Sequence, residues 1–259
     1  MKKTLLTAGA AVGTLLFAAG RQWRTRSRTS VRIARPVALQ SADRAAHRLM
    51  TAVIVPVWIT AGLFDYFMHR RTHIERTSGA RESILHLMML AEGGPVVLAP
   101  LLLEVNAGVL AVIYTFFFAH QATAMWDVDT TTSERVIPSD EQHVHAFLEG
   151  VPFGVAMLYT VLHWSQFLAL LGLNEERPQF NVHLKEPRMT VRDAALITGA
   201  VLSLDILPHV EEYVRCLRAK SQGLVGSETP ECVQEVFRDD SPLKARSSAG
   251  EFELLGGRV

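Results

Sequence analysis

Apolar residues run almost unbroken through four stretches of the chain, at roughly 51–68, 84–103, 107–125 and 148–172. Each approaches the roughly 20 residues that an α-helix needs to cross about 30 Å of hydrocarbon. A segment in lipid has to satisfy its own backbone hydrogen bonds, so these stretches are expected to be helices. Only "LEVNAG" separates the second from the third, which predicts an antiparallel hairpin. Pro56, Pro95, Pro100 and Pro152 fall inside the apolar runs and predict local kinks. The first twenty residues, "MKKTLLTAGAAVGTLLFAAG", have the basic start, short apolar stretch and small residues of a secretory signal or a signal anchor.

Past Leu173 the pattern turns polar, and the proline and charge content up to about Pro187 reads as a loop. A helix is expected from Thr190, where Thr190 and Asp193 suggest a capping box. Asp205 and Pro208 break its apolar run, which favours a helix lying on the interface or packed against the bundle, a partial further span being the alternative. The expected fold is therefore an all-α polytopic membrane bundle of about four core transmembrane helices, with an N-terminal signal peptide or signal anchor and a C-terminal interfacial helix. The corresponding division is 1–20 for the signal or anchor, 21–50 for a basic juxtamembrane segment and 51–173 for the core. Residues 174–222 form the loop and amphipathic helix, and 223–259 a tail whose Ser, Pro, Gly and charge content predicts disorder.

Composition agrees with this reading: 49% of residues are hydrophobic and the mean hydropathy is +0.17. The formal net charge is zero, so no global charge points to nucleic acid, and membrane lipids are the expected surroundings. Six arginines between Arg21 and Arg35 suit either anionic head groups or a solvated linker. Cys216 and Cys232 lack the spacing of a zinc finger or a redox pair. Oligomeric state is not encoded in any of these features.

Helix connectivity alone gathers an unusual set of side chains. If 51–68 ends at one face, then the loop 69–83 and everything from 126 to 147 share that face, and the hairpin turn at Glu104 lies opposite. Within "FDYFMHRRTHIERTSGARESILH", Asp65, His69 and His73 stand at i, i+4 and i+8, and Glu82 with His86 repeats the interval. Ser139, with Gln142 three residues on, predicts a helix start that puts Glu141, His145 and Glu149 in a third row. His120 adds a donor, with Thr123 and Asp127 on the same face as supporting groups. His143 stands off the Glu141 face, though a distorted first turn brings it in, and Glu75 stands off the Asp65 face.

Neutral imidazole and carboxylate at this density suit Fe, Zn or Mn, and a cluster of this size can serve two ions. The proposed ligands are Asp65, His69, His73, Glu82, His86, His120, Glu141, His143, His145 and Glu149, with Thr123, Asp127 and Glu75 behind them. The competing reading is a salt-bridge network with Arg70, Arg71, Arg76, Arg81 and Arg135. His47, His163, His183 and His209 read as ordinary interfacial histidines. Glu92, deep in a span, marks a structural contact or a proton or substrate path.

"HRRTH" resembles the HxxxH element of membrane-bound fatty acid hydroxylases and desaturases, and "EQHVH" echoes a second histidine box. The resemblance covers about 65–149 and departs from those enzymes in having no HxxHH. It implies a pair of irons on the cytosolic face beside a lipid tunnel, with His69 and His73 as ligands and an electron donor as partner. The run from "DYFMHRRTHIERTSGARES" to "EQHVHAFLEGVPF" is also similar to a group of bacterial multi-pass membrane proteins, which implies an inner-membrane location and assigns no reaction. The expected function is a metal-dependent membrane enzyme, most concretely a non-haem di-iron oxygenase acting on a lipid or other apolar substrate. The alternatives are a zinc-dependent hydrolase, or a non-enzymatic protein that binds or transports divalent metal or haem.

Overall fold

The computed structural model describes residues 37–186 and 189–228, with side chains from Ser41 onward. The signal or anchor expected at 1–20, most of the basic segment and the tail beyond 228 lie outside the described residues. Helices α1 (Val37–Leu49) and α2 (Val55–Arg71) are joined by a π turn at Met50–Ile54. Then come α3 (Ala80–Leu102), α4 (Ala107–Thr131), α5 (Ser139–Leu162) and the short α6 (Trp164–Leu170). Helices α7 (Val191–Val201) and α8 (Leu207–Ser221) are joined by a second π turn at Leu202–Ile206. Among the described residues the only β pairing is an isolated bridge between Leu103 and Leu184.

Among the described residues, five helical segments are long and apolar enough to cross a membrane: Ser41–Arg71, Ala80–Leu102, Ala107–Thr131, Ser139–Leu162 and Val191–Ser221. Large apolar side chains stand exposed on each of them, among them Val57, Phe64, Met88, Phe118, Phe153 and Leu196. A water-soluble protein avoids so continuous an apolar exterior. The buried core, built around Met50, Trp58, Val97, Leu101, Leu110, Ile113 and Tyr159, fills one end and the middle of the bundle.

The fifth segment is packed against the bundle, one of the two placements expected for the helix after Thr190, and it is longer than expected: Asp205 and Pro208 interrupt its apolar run without ending it, and it forms a 31-residue segment. Its start hangs from the far end, where Glu104 N donates to His183 O at 2.9 Å and Lys185 N to Leu102 O at 2.9 Å. Lys185 Nζ also donates to Asp43 and to Pro100 O, each at 3.1 Å, clasping that strand against the hairpin end. The other terminus reaches the loop after α2: Arg215 pairs with Glu75, and Gly226 N donates to Thr77 O at 3.2 Å. The helix therefore runs the full height of the bundle, and Asp205 is tolerated because it points inward and is fully buried.

Both interrupted segments follow one rule. Pro56 and Pro208 each occupy the second residue after a π turn. A proline removes one backbone donor and its ring crowds the preceding turn, and widening that turn relieves both problems without breaking the helix. Elsewhere the local code reads as written: Asn106 caps α4 by accepting from Gly108 N at 2.9 Å and Val109 N at 3.1 Å. Thr190 caps α7 by accepting from Asp193 N at 3.1 Å. The start of α5 is shifted by one residue, because Pro138 is extended (ψ 156°) and its carbonyl takes Gln142 N at 3.0 Å. Ser139 is thus the first helical residue rather than the cap.

A full crossing has a direct topological test. Single cysteines replacing Thr190 and Gln222 should react with an impermeant thiol reagent from opposite sides of the membrane, with one replacing Thr132 matching Gln222. Labelling of Thr190 and Gln222 positions from the same side would return α7–α8 to the interface.

Candidate metal centre

One end of the bundle collects ionisable side chains from every long helix. The last two turns of α2 supply Asp65 and His69, and the first two turns of α3 supply Glu82 and His86. Asp127 comes from the end of α4, Glu141 and His145 from the start of α5, and Asp205, His209 and Glu212 from the second π turn and α8. Asp65, Glu82, Asp127, Glu141, Asp205 and Glu212 are at most 4% exposed. Arg135, 3% exposed in the turn between α4 and α5, is the buried guanidinium among them. Buried carboxylates in such excess demand further positive charge.

The cluster divides into two halves. In the first, Arg135 lies between Glu82 and Glu141 and reaches all of their carboxylate oxygens. Its Nε donates to Glu82 at 3.0 and 3.2 Å, a terminal nitrogen donates to Glu141 Oε2 at 3.1 Å, and the other terminal nitrogen bridges both groups. Ser78 adds a hydroxyl to Glu82. Burial works against the arginine's charge, but hydrogen bonds and attraction from Glu82 and Glu141 prevail and push its pKa above the usual value. This half is satisfied.

The second half is not. Asp65, His69, His86 and His145 bring donor atoms within 4.8 Å of one another. Asp65 Oδ1, His69 Nε2, both nitrogens of His86 and His145 Nε2 are buried without a hydrogen-bond partner. His145 Nε2 and Asp65 Oδ1 approach to 2.9 Å without hydrogen-bond alignment, and His69 Nε2 stands 3.5 Å from the same oxygen. The His69 and His86 rings stack with centroids 4.5 Å apart. An ion holding each donor at about 2.0–2.2 Å spaces neighbouring donors by roughly 3–4 Å, a spacing near that of these four residues, which could therefore hold a metal.

Three histidines are oriented the same way. His69 Nδ1 meets Glu212 Oε2 at 2.9 Å, His209 Nδ1 meets Asp205 O at 2.8 Å and His120 Nδ1 meets Met89 O at 3.2 Å. An acceptor at Nδ1 fixes the proton there and leaves the Nε2 lone pair facing inward, the arrangement that readies imidazole for a metal. His209 Nε2 stands 3.7 Å from Asp65 Oδ2, and Glu212 Oε1 stands 3.9 Å from His86 Nδ1.

A cavity of about 50 Å³ adjoins the open half, with Asp65, His86, Asp127, His145 and His209 on its polar wall. Trp58, Met89, Leu90, Ala124, Val128 and Leu148 form the apolar wall. The volume exceeds the roughly 10–15 Å³ that a single water requires. Val128 is 46% exposed on the outer surface of α4, so the cavity adjoins the face that the bundle turns to lipid.

Several expected site residues stand elsewhere. Helix α2 ends at Arg71 and His73 adopts a left-handed conformation (φ 52°), so the i+8 step fails and the side chain is exposed. His143 is exposed on the outer side of α5. Glu75 pairs with Arg215, away from the cluster. Glu149 lines the cavity but does not join the donor groups, and His120 lines it with Nε2 unpartnered. Thr123 donates to Glu92 at 3.0 Å. Asp127, expected behind the donors, is among them, 3.4 Å from His86 Nε2. Of the arginines expected to form a salt-bridge network, Arg71 and Arg81 pair with Asp140 and Glu134 on the exposed surface, and Arg135 alone enters the cluster. Sequence reasoning missed Asp205 and Glu212 and set His209 aside. "DILPHVEE" carried the signal, since Asp205, His209 and Glu212 share a face at i, i+4 and i+7.

Comparison with protein-family models, curated proteins and solved structures returns no match for this chain.

Close packing around Asp205 gives a stability test. A Cβ at Gly62 would lie 2.0 Å from Asp205 Oδ1, whereas one at Gly94 would meet nothing within 4 Å. Gly62→Ala should destabilise the protein by about 1–3 kcal/mol through overpacking, and Gly94→Ala should leave it unchanged or slightly more stable. Thermal unfolding in mild detergent measures both.

Proposed function

We propose that this multi-pass membrane protein is a metal-dependent enzyme acting on a lipid or other apolar substrate. The observation that carries the reading is a set of four residues, Asp65/His69/His86/His145, each with a buried atom lacking a hydrogen-bond partner, three of which (Asp65, His86 and His145) line a cavity with an apolar wall. Three imidazoles and a carboxylate fit a divalent first-row ion such as iron, zinc or manganese. A donor set beside a cavity leaves room for a reacting group, as catalytic sites do and closed structural sites do not.

The chemistry we propose for it is iron-dependent oxygenation. A bound iron would supply redox chemistry with dioxygen, and an external electron donor would supply the reducing equivalents. The chain's own contribution is positional: Glu212 holds His69, Trp58, Leu90 and Leu148 give the cavity an apolar wall, and the exposed Val128 sets it beside the lipid-facing side from which an apolar chain would approach. Zinc-dependent hydrolysis is the second reading, favoured by Glu149, a half-buried carboxylate on the cavity wall outside the donor groups and placed to act as a general base. Exposed Arg70, Arg71, Arg76 and Arg81 at this end support a cytoplasmic location for it in a bacterial-type inner membrane.

Elemental analysis of protein purified in mild detergent tests the reading. About one divalent transition metal per chain is expected, falling at least tenfold in His69→Ala/His145→Ala. Iron would support oxygenation, and zinc would support hydrolysis. A wild-type protein that folds, is supplied with these metals and retains none would sink the proposal.

A further inference from the structure

Glu82 and Glu141 belong to two further donor groups, His69/Glu82/Glu141 and Glu82/His86/Asp127, that adjoin the open set through His69 and His86. By residue type they describe a second metal position. The side chain that reaches them is Arg135, whose fork covers the oxygens an ion would use. The geometry points to Arg135 as a built-in cation occupying a latent second metal site, so that the wild-type centre is mononuclear. This inference rests on the metal reading above and adds its stoichiometry.

Beside the carboxylates lies His86, 3% exposed, whose Nε2 stands 3.4 Å from Asp127 Oδ2 with no hydrogen-bond partner. His69 Nε2, fully buried, likewise faces Glu141 Oε1 at 3.5 Å without a hydrogen bond. His86 therefore groups with Glu82, a carboxylate that the guanidinium covers, while His69 Nε2 belongs to the open set and stands between the two halves. A guanidinium and a divalent ion compete for the same carboxylate oxygens, and the guanidinium is covalently tethered, so an ion from solution enters only where Arg135 is not. The open half offers unpartnered donors and no such competitor.

The test loads purified full-length chain in mild detergent with Zn(II), then with Fe(II) under anaerobic conditions, and counts bound metal. Wild type should bind about one ion per chain and show no metal–metal scattering by X-ray absorption near the roughly 3.5–4 Å of two-metal sites. Arg135→Gln should double the content and acquire that scattering. Glu82→Gln/Arg135→Gln removes a donor with the arginine and should return to the wild-type content. If Arg135→Gln folds only when metal is supplied, the ion is replacing the lost charge and the inference is supported. Two ions in wild type, or an Arg135→Gln protein that folds and keeps the wild-type content, would overturn it while leaving the metal reading intact. Should Arg135→Gln fold under no condition, the wild-type count and scattering decide alone. No metal in wild type would overturn the metal reading itself, and this inference with it.

Discussion

Carboxylates buried inside a bundle have to find positive charge, and that requirement organises one whole end of this molecule. Asp65, Glu82, Asp127, Glu141, Asp205 and Glu212 are buried among helices whose outer surfaces are apolar. Arg135 answers the demand for Glu82 and Glu141 by hydrogen-bonding to all of their oxygens. Withdrawing one partner from a buried ion pair costs about 3–5 kcal/mol, because the remaining charge is stranded. The remaining carboxylates face imidazoles instead, and a divalent ion would both neutralise them and keep those imidazoles unprotonated.

That demand explains how the bundle is partitioned. The hydrophobic core around Tyr159, Leu110 and Trp58 fills the end near the α3–α4 turn and the middle, where close packing carries stability. The buried carboxylates concentrate toward the other end, those of α2, α3, α4 and α5 within about two turns of the helix termini. Trp58 belongs to both regions, packing in the core and lining the cavity. The second π turn belongs to this design as well. It follows from Pro208 and sets Asp205 against Gly62, where any β-carbon would collide with the carboxylate. π turns recur at functional sites because they redirect side chains while keeping the helix continuous.

How much of this was legible in the sequence depends on the kind of signal. Connectivity read from hydropathy was enough to bring Asp65, His69, Glu82, His86, Asp127, Glu141 and His145 to one end, because a helix crossing a bilayer leaves no choice about which termini are neighbours. The four-residue interval failed at His73 for a local reason: the helix stops two residues earlier, and nothing in "HRRTH" marks the stop. It failed to extend to Asp205, His209 and Glu212 for the opposite reason. Charge and proline inside an apolar run are evidence against a span only when the span faces lipid on all sides, and this one has an inward polar face. Arg135 appeared only as a member of a basic set, since sequence cannot say which of several arginines will be buried.

The order of assembly along the chain follows from the same division. The arginine half draws on α3, the turn after α4 and the start of α5, so its charges are compensated by residues between Ser78 and Glu141. The open half depends on a later segment, because Glu212, which fixes His69 Nδ1, lies on α8. The first four crossings can therefore pack with Glu82 and Glu141 already neutralised and with Asp65 facing His145 and Asp127 facing His86, whereas His69 Nδ1 gains its acceptor only when α8 docks. The division between the two halves is thus also a division between contacts made within those four crossings and a contact that needs the fifth.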